Sequence, residues 1–552
     1  MIAQMPSGLP ANDTDFIARS SYLVIDDFQG MRSMLTGVLK ACGANPRAID
    51  TAANGPEAIQ LLTKKRFDIV LCDFNLGHGQ NGMQILEEAK FRNLIGPGCC
   101  WIMVTAEKTV DTVMGTAEAQ PDAYLLKPVT EAVLTSRIAK IRARKETFTD
   151  IDRAIAARDY LKAIRLCEER AASDKVNAIE LLRTKCDLLT QTGQSDKARQ
   201  TYEKILASRE IPWAQLGLAK VHMQAGEYDA ACNLLETLID RNRNYLDAYD
   251  SLAETYQKLG ESERAEDILE RAIQLSPNSH ARQRVIGELA LRNGKLDRAE
   301  KAFRKTLKLS EHSARKSPEA FLGLARTVGS LENPKEALSI LEQMNKVFDG
   351  EDTRIKGKAV EGHVYHRNGM TKEARDSAEQ LSAMLERGNT RQDSETAREM
   401  AELLLATGHQ EKGLNLLQSE IMNNPDDERN LDAIKQVFRK AGLAEQGDAV
   451  VESSRKEATR LMNAGILLAH AGNHLEAIGK MRDAVTKMPR NVRLLLNAAH
   501  IMLDYMEQAG VEASLIREVR SSLLTANQLA PNESRFVDLM ARLEKLTTRN
   551  FT

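Results

Sequence analysis

Ile69-Val70-Leu71-Cys72-Asp73-Phe74-Asn75-Leu76 is the stretch whose reading decides the first fold in this chain. Four apolar residues run straight into an aspartate, and a loop with Gly77, Gly79 and Gly82 follows. An apolar run of this length bounded by glycines predicts a strand buried on both faces. Asp73 then sits at the carboxyl end of that strand, where open α/β sheets bind their ligands.

The pattern repeats on both sides. Tyr22-Leu23-Val24-Ile25 runs into Asp26-Asp27, and helical spacing follows in Met31, Met34, Leu35, Val38 and Leu39. A weak strand is expected over 48–52 and helices over 56–63 and 83–91. Trp101-Ile102-Met103-Val104 ends in Thr105-Ala106, Tyr124-Leu125-Leu126 ends in Lys127-Pro128, and a last helix starts near Thr130. Strands alternating with helices over 21–145 predict a doubly wound, five-stranded parallel sheet. Residues 1–20, with Pro6, Gly8, Pro10 and Asn12, read as a flexible N-terminal extension.

Strand signals stop after residue 146, and a repeat takes over. Gly226, Gly260 and Gly294 are 34 apart, Ala231, Ala265 and Ala299 follow each by five, and Leu235, Leu269 and Phe303 by four more. The fullest copy is Tyr249, Leu252, Ala253, Tyr256, Gly260, Ala265, Leu269, Ala272 and Pro277. Weaker copies centre on Gly193, Leu324-Ala325, Gly369, Gly408, Gly442 and Gly472, with a short insertion around Ser313 to Ser317. Residues 146–552 therefore read as about ten or eleven helix pairs, with a capping helix over 534–546.

A chain of 552 residues is too long for one core, in keeping with this division. Lys+Arg 76 against Asp+Glu 78 leaves a net charge of -2, so no basic field points to nucleic acid or an anionic membrane. No apolar run approaches the ~20 residues that span a bilayer, and the first 20 residues lack a signal-peptide pattern. Seven cysteines without a Cys-x-x-Cys pair suit reduced thiols. The expected location is cytoplasmic.

The strand ends carry the chemistry. Asp26, Asp27, Asp73, Thr105 and Lys127 each follow an apolar run, and in a parallel sheet those ends share one edge. Three crowded carboxylates repel, and a hard divalent cation such as Mg²⁺ relieves them. A carboxylate beside Mg²⁺ and a lysine is a plausible phosphoryl acceptor, and a threonine hydroxyl can bond a phosphate oxygen.

With these residues in place, the segment from about 20 to 145 resembles the receiver domain of two-component response regulators, especially the single-domain chemotaxis type. The matching stretches are Asp26 to Arg32, Asp73-Phe74-Asn75, Met103 to Glu107 and Tyr124 to Pro128. The resemblance implies that Asp73 accepts the phosphoryl group and that Asp26, Asp27, Asp73 and the Asn75 carbonyl hold Mg²⁺. It implies that Lys127 contacts the phosphoryl group, that Thr105 swings towards it, and that Tyr124 is the aromatic switch. It also makes Lys127-Pro128 a candidate cis bond and sets Asn75 and Glu107 where hydrolytic water is tuned. The loop from Leu76 to Gly82 lacks the family's usual Met-Pro and seats His78 beside the site. The later segment resembles the tetratricopeptide repeat, which stacks into a superhelix with a groove for a protein partner.

The resulting expectation is a phosphorelay response regulator. A sensor histidine kinase would load Asp73, and the repeat groove would change its grip on an unidentified protein. The alternative is a phosphate sink, or a constitutive scaffold without phosphorylation-dependent output. After residue 146 the sequence shows no paired carboxylates, nucleophile with base or phosphate loop, so no enzyme is expected beyond receiver self-phosphorylation and autodephosphorylation. Groove positions of mixed sign (Asp247, Asp250, Glu254, Trp213, Lys220) speak against a nucleic-acid track. His363 and His366 lack a third ligand placed by the sequence. A homodimer stays open, since receiver faces and superhelices both form them.

Overall fold

The computed structural model describes residues 11–77, 79–96, 98–106, 121–311, 316–387, 393–530 and 533–549. It divides into two compact units, one of residues 1–185 and 205–317, the other of 186–204 and 318–552.

In the first unit, strands β1 (Tyr22–Ile25), β2 (Ile49–Ala52), β3 (Ile69–Asp73), β4 (Cys100–Thr105) and β5 (Ala123–Leu126) form one sheet in the order β2-β1-β3-β4-β5. Every pairing is parallel, with Ile25 opposite Cys72 and Asp73 opposite Val104. The continuous apolar runs are explained by burial of both faces. Tyr22, Val24, Leu71, Ile102 and Val104 pack with Leu35 and Leu39 of α2 (Gln29–Ala41) and Leu134 and Ile138 of α5 (Glu131–Ala156). The alternate residues Leu23, Ile25, Val70, Cys72, Trp101 and Met103 pack with Ala58 and Leu62 of α3 (Gly55–Lys64) and Ile85 and Leu86 of α4 (Gly82–Phe91).

The N-terminal expectation needs correction. Residues Ala11–Arg19 form a helix, α1, rather than a flexible lead-in. Ile17 is buried in the core beside Tyr22, whose hydroxyl donates to the Ile17 carbonyl at 2.6 Å. The Arg142 guanidinium lies 4.9 Å above the Phe16 ring. Burying one large apolar side chain contributes ~1.5–3 kcal/mol, and this anchors the helix, while Pro6, Gly8 and Pro10 lie outside the described residues.

α5 is the structural joint. Its first half buries Leu134, Ile138 and Ile141 in the sheet core, and its second half buries Phe148, Ile151 and Ala154. The latter half packs on the helix Tyr160–Ser173. One helix thus ends the α/β domain and opens the repeats. Midway along it, the Lys145 ammonium lies 3.0 Å from Asp122 and also donates to the Cys99 carbonyl. The other Asp122 oxygen accepts from the Trp101 amide at 2.7 Å. Arg144 donates to Glu180 at 2.7 Å and covers the Phe148 ring.

The repeats of this unit pair Pro212–Gln224 with Tyr228–Arg241, Leu246–Leu259 with Ser262–Leu275, and His280–Arg292 with Leu296–Leu309. Ala231, Ala265 and Ala299 are fully buried where paired helices cross. Gly226, Gly260 and Gly294 turn between helices at φ of 76°, 84° and 71°, values at which a side chain is strained. Asp250 is not a free groove charge, because Arg282 grips it bidentately at 2.7 and 2.8 Å.

The second unit continues with pairs such as Glu351–Arg367 with Thr371–Arg387 and Val492–Ala509 with Ala513–Leu529, and carries the capping helix Ser534–Arg549. One stretch departs from the expected pairs. Ala444–His470 is a single helix of 27 residues that serves two successive repeats. From Val450 to Asn463 there is no glycine or proline to break it. The insertion around Ser313 to Ser317 falls largely outside the described residues.

The six trypsin sites of α5 (Arg137, Lys140, Arg142, Arg144, Lys145 and Arg153) are expected to resist limited proteolysis. Ala143→Pro, costing ~3 kcal/mol in a helix interior, makes this segment the first to be cut. Cleavage of the unaltered protein there, read by mass spectrometry, would contradict a continuous joint.

Candidate functional site

The parallel sheet delivers its strand ends to one edge. Asp26 follows β1, Asp73 closes β3, Thr105 closes β4 and Lys127 follows β5. Asp26 is 1% exposed and Asp73 8%, whereas Asp27 is exposed. Ligand oxygens from all three carboxylates lie within 4.8 Å of one another. The Lys127 ammonium bridges the two buried acids, at 2.9 Å from Asp26 Oδ2 and 2.8 Å from Asp73 Oδ2.

The backbone sets this geometry. The Lys127 amide donates to the Thr105 carbonyl at 2.9 Å, extending the β4–β5 ladder by one residue. The bond Lys127-Pro128 is cis. Asp26 Oδ1 accepts from the Phe28 amide at 2.9 Å, and Arg32 donates to the Asp26 and Asp27 carbonyls at 2.7 and 3.1 Å. Across the sheet edge, the Gly82 amide donates to the Phe74 carbonyl at 2.9 Å and closes the loop after β3. A Cβ on Gly82 would meet the Asp73 carbonyl oxygen at 2.1 Å, so only glycine fits. Sequence reasoning gives neither Arg32 nor Gly82 a role at the site. The signal for Gly82 is its place directly after Asn81, which caps α4 with Gln84 as its partner.

Electrostatics follow from burial. Desolvation pushes the Asp73 carboxyl above its usual range and Asp26 adds to this, while Lys127 and the Phe74 amide pull it back. Burial pulls Lys127 down, but its hydrogen bonds and charge pairing with Asp73 and Asp26 win, leaving it raised. Three carboxylates facing one ammonium leave excess negative charge on hard oxygen donors. That donor set fits a hard divalent cation that keeps part of its water shell.

Thr105 is buried at the carboxyl end of β4 beside this cluster. Asn75 is exposed in the loop two residues beyond Asp73. Tyr124 is half-buried against the core, its hydroxyl 3.9 Å from the Met83 sulfur, and burial pushes its pKa up. His78 and Glu107 lie outside the described residues. In the second unit, His363 bonds the Glu399 carbonyl at 2.8 Å and His366 is exposed. Among the described residues, the Asp26, Asp27 and Asp73 group is the one with ligand atoms gathered closely enough for a metal ion.

Residues 22–139 match the family model of the response regulator receiver domain. Tetratricopeptide-repeat models match 222–289, and 184–244 with 284–344. The chemotaxis protein CheY of Pseudomonas aeruginosa is 31% identical over 122 residues, which cover 22% of this chain and 95% of that protein. CheY-3 of Vibrio cholerae is 31% identical over 128 residues, covering 22% and 91%. Among solved structures, the C-terminal part of a tetratricopeptide-repeat protein from Cytophaga hutchinsonii aligns with a TM-score of 0.35 at 17% identity, covering 44% of this chain and 96% of that one. MamA aligns at 0.27 and 26% identity, covering 30% and 97%. Among the described residues no helix is long and apolar enough to cross a membrane.

Replacing Lys127 by methionine removes the charge that restrains the Asp73 carboxyl, so its pKa should rise further in Lys127→Met. Titration of the Asp73 carboxyl carbon by NMR measures this. A fall, or no change, would mean that Lys127 does not govern the acid.

Proposed function

Since this chain belongs to the response-regulator family through its receiver domain, which a tetratricopeptide-repeat array follows, we propose that phosphorylation of Asp73 controls what the array binds. The donor is a sensor histidine kinase. An Asp73 oxygen attacks the phosphorus of a phosphohistidine, a P–O bond forms, and the P–N bond breaks with its electron pair returning to the imidazole. Water later cleaves the acyl phosphate and restores the carboxylate. Apart from this self-phosphorylation and autodephosphorylation, the chain is not an enzyme, and it works in the cytoplasm.

The observation that carries the reading is the buried Asp73–Lys127–Asp26 bridge, with Asp27 in reach of both acids. Asp26, Asp27, Asp73 and the Asn75 carbonyl are the residues that would hold Mg²⁺, which supplies charge neutralisation at the transferring oxygens. Lys127 already faces the acceptor oxygen and balances charge on the phosphoryl group. Thr105 supplies a hydroxyl for a phosphoryl oxygen, and Tyr124 reports the change by repacking against the core. The continuous α5 favours transmission to the repeats over a mere phosphate sink, because its two halves share one backbone ladder.

Asp73→Asn is expected to abolish labelling by acetyl phosphate in Mg²⁺, measured on a phosphate-affinity gel. Full labelling of that variant would exclude Asp73 as the acceptor. Affinity capture with and without beryllofluoride is expected to recover different amounts of the array's partner, and equal recovery would favour the sink.

A further inference from the structure

A second gathering of chemistry-bearing side chains lies in the repeats of the second unit. Helix Ala444–His470 ends in His470, the next helix begins with His474, and helix Val492–Ala509 carries His500 and Asp504. These four line one cavity of about 330 Å³ with Asn497 and the apolar Ile466, Ala469 and Ile501. Three of the chain's 10 histidines thus meet in one small lining.

The Nδ1 atom of His474 is buried and has no hydrogen-bond partner. An orphaned buried polar atom destabilises the fold, and a ligand that takes up its lone pair removes that cost. His470 and His474 are four residues apart, a spacing that zinc sites use. His500 Nδ1 lies 3.6 Å from Asp504 Oδ1, one turn along the same helix. Histidines that ligate a metal through one nitrogen commonly hand the other N–H to a carboxylate in this way.

Arg542, from the capping helix Ser534–Arg549, donates to His500 Nδ1 at 2.7 Å, to Asp504 at 2.6 Å and to Glu507 at 3.0 Å. If Arg542 releases His500 it still keeps two carboxylates. Nδ1 of His500 can then carry the proton towards Asp504, which frees the Nε2 lone pair.

We propose that His470, His474 and His500 bind a transition-metal dication of borderline softness, with Asp504 orienting His500. Among the described residues, Asp26, Asp27 and Asp73 form the one group of three or more whose ligand atoms all lie within 4.8 Å of one another, so the imidazoles must turn inward around the ion. His470 and His500 are exposed and have room to do so. Imidazole nitrogens favour zinc, nickel or copper over magnesium, which separates this site chemically from the carboxylate cluster. The ion would staple the end of one helix, the start of the next and the middle of a third, independently of phosphorylation.

The test is isothermal titration of the full-length protein with Zn²⁺, paralleled by the visible absorption of bound Co²⁺. One ion is expected to bind, with a rise in melting temperature. His474→Gln and His500→Gln should each abolish this uptake while keeping a helical circular dichroism spectrum, and His470→Gln provides a third variant should either fail to fold. Asp504→Asn should weaken binding ~10–100-fold, whereas Asp73→Asn should leave it unchanged. Absence of uptake by the unaltered chain overturns the proposal. So does uptake that the histidine variants retain, which would place the ion at the carboxylates or thiols.

Discussion

One ammonium group holds two buried carboxylates together, and the rest of the first domain is arranged to make that possible. Asp26 and Asp73 end neighbouring strands, so their charges would repel at close range in a poorly solvated pocket. Lys127 arrives from the far side of the sheet and touches both. Its reach depends on the β4–β5 ladder extending to the Lys127 amide. The compensation is incomplete by design of the residue set, since Asp27 adds a third acid. The surplus of negative charge is what makes the pocket receptive to a cation and then to a phosphoryl group.

Strand β5 is held at both ends. Lys127 ties its carboxyl end to the acids, and Asp122 ties its start to Lys145 on α5. The strand that carries Tyr124 therefore lies between the chemistry and the helix that opens the repeats. A shift in the charge around Lys127 acts on a segment whose other end is fastened to the joint.

Much of this was legible in the sequence because strand ends in a parallel sheet are written as apolar runs stopping at a polar residue. Asp73 after Ile69 to Cys72 and Lys127 after Tyr124 to Leu126 could be placed on one edge without coordinates. The repeats were legible where glycine and alanine recur in strict register, as at Gly226, Gly260 and Gly294. The helix holding Ile17 was not, because its stability comes from the sheet beneath it rather than from its own composition. The fusion of two helices between Ala444 and His470 was hidden for the opposite reason. A turn announces itself by glycine or proline, and a missing turn leaves no mark. The meeting of the histidines at 470, 474 and 500 is not legible, because it depends on three helices packing side by side.

The shared helix Glu131–Ala156 also limits how this architecture can change length. An α-helix advances ~1.5 Å and rotates ~100° for each residue. A single insertion or deletion between Ile141 and Phe148 would swing the first repeat to another side of the α/β domain, breaking the pair of Lys145 with Asp122 or that of Arg144 with Glu180 according to where it falls. Flexible tethers absorb such slips, but this joint has a helical phase to keep. Added residues cost little in surface loops, whereas in this segment each one costs the joint its phase.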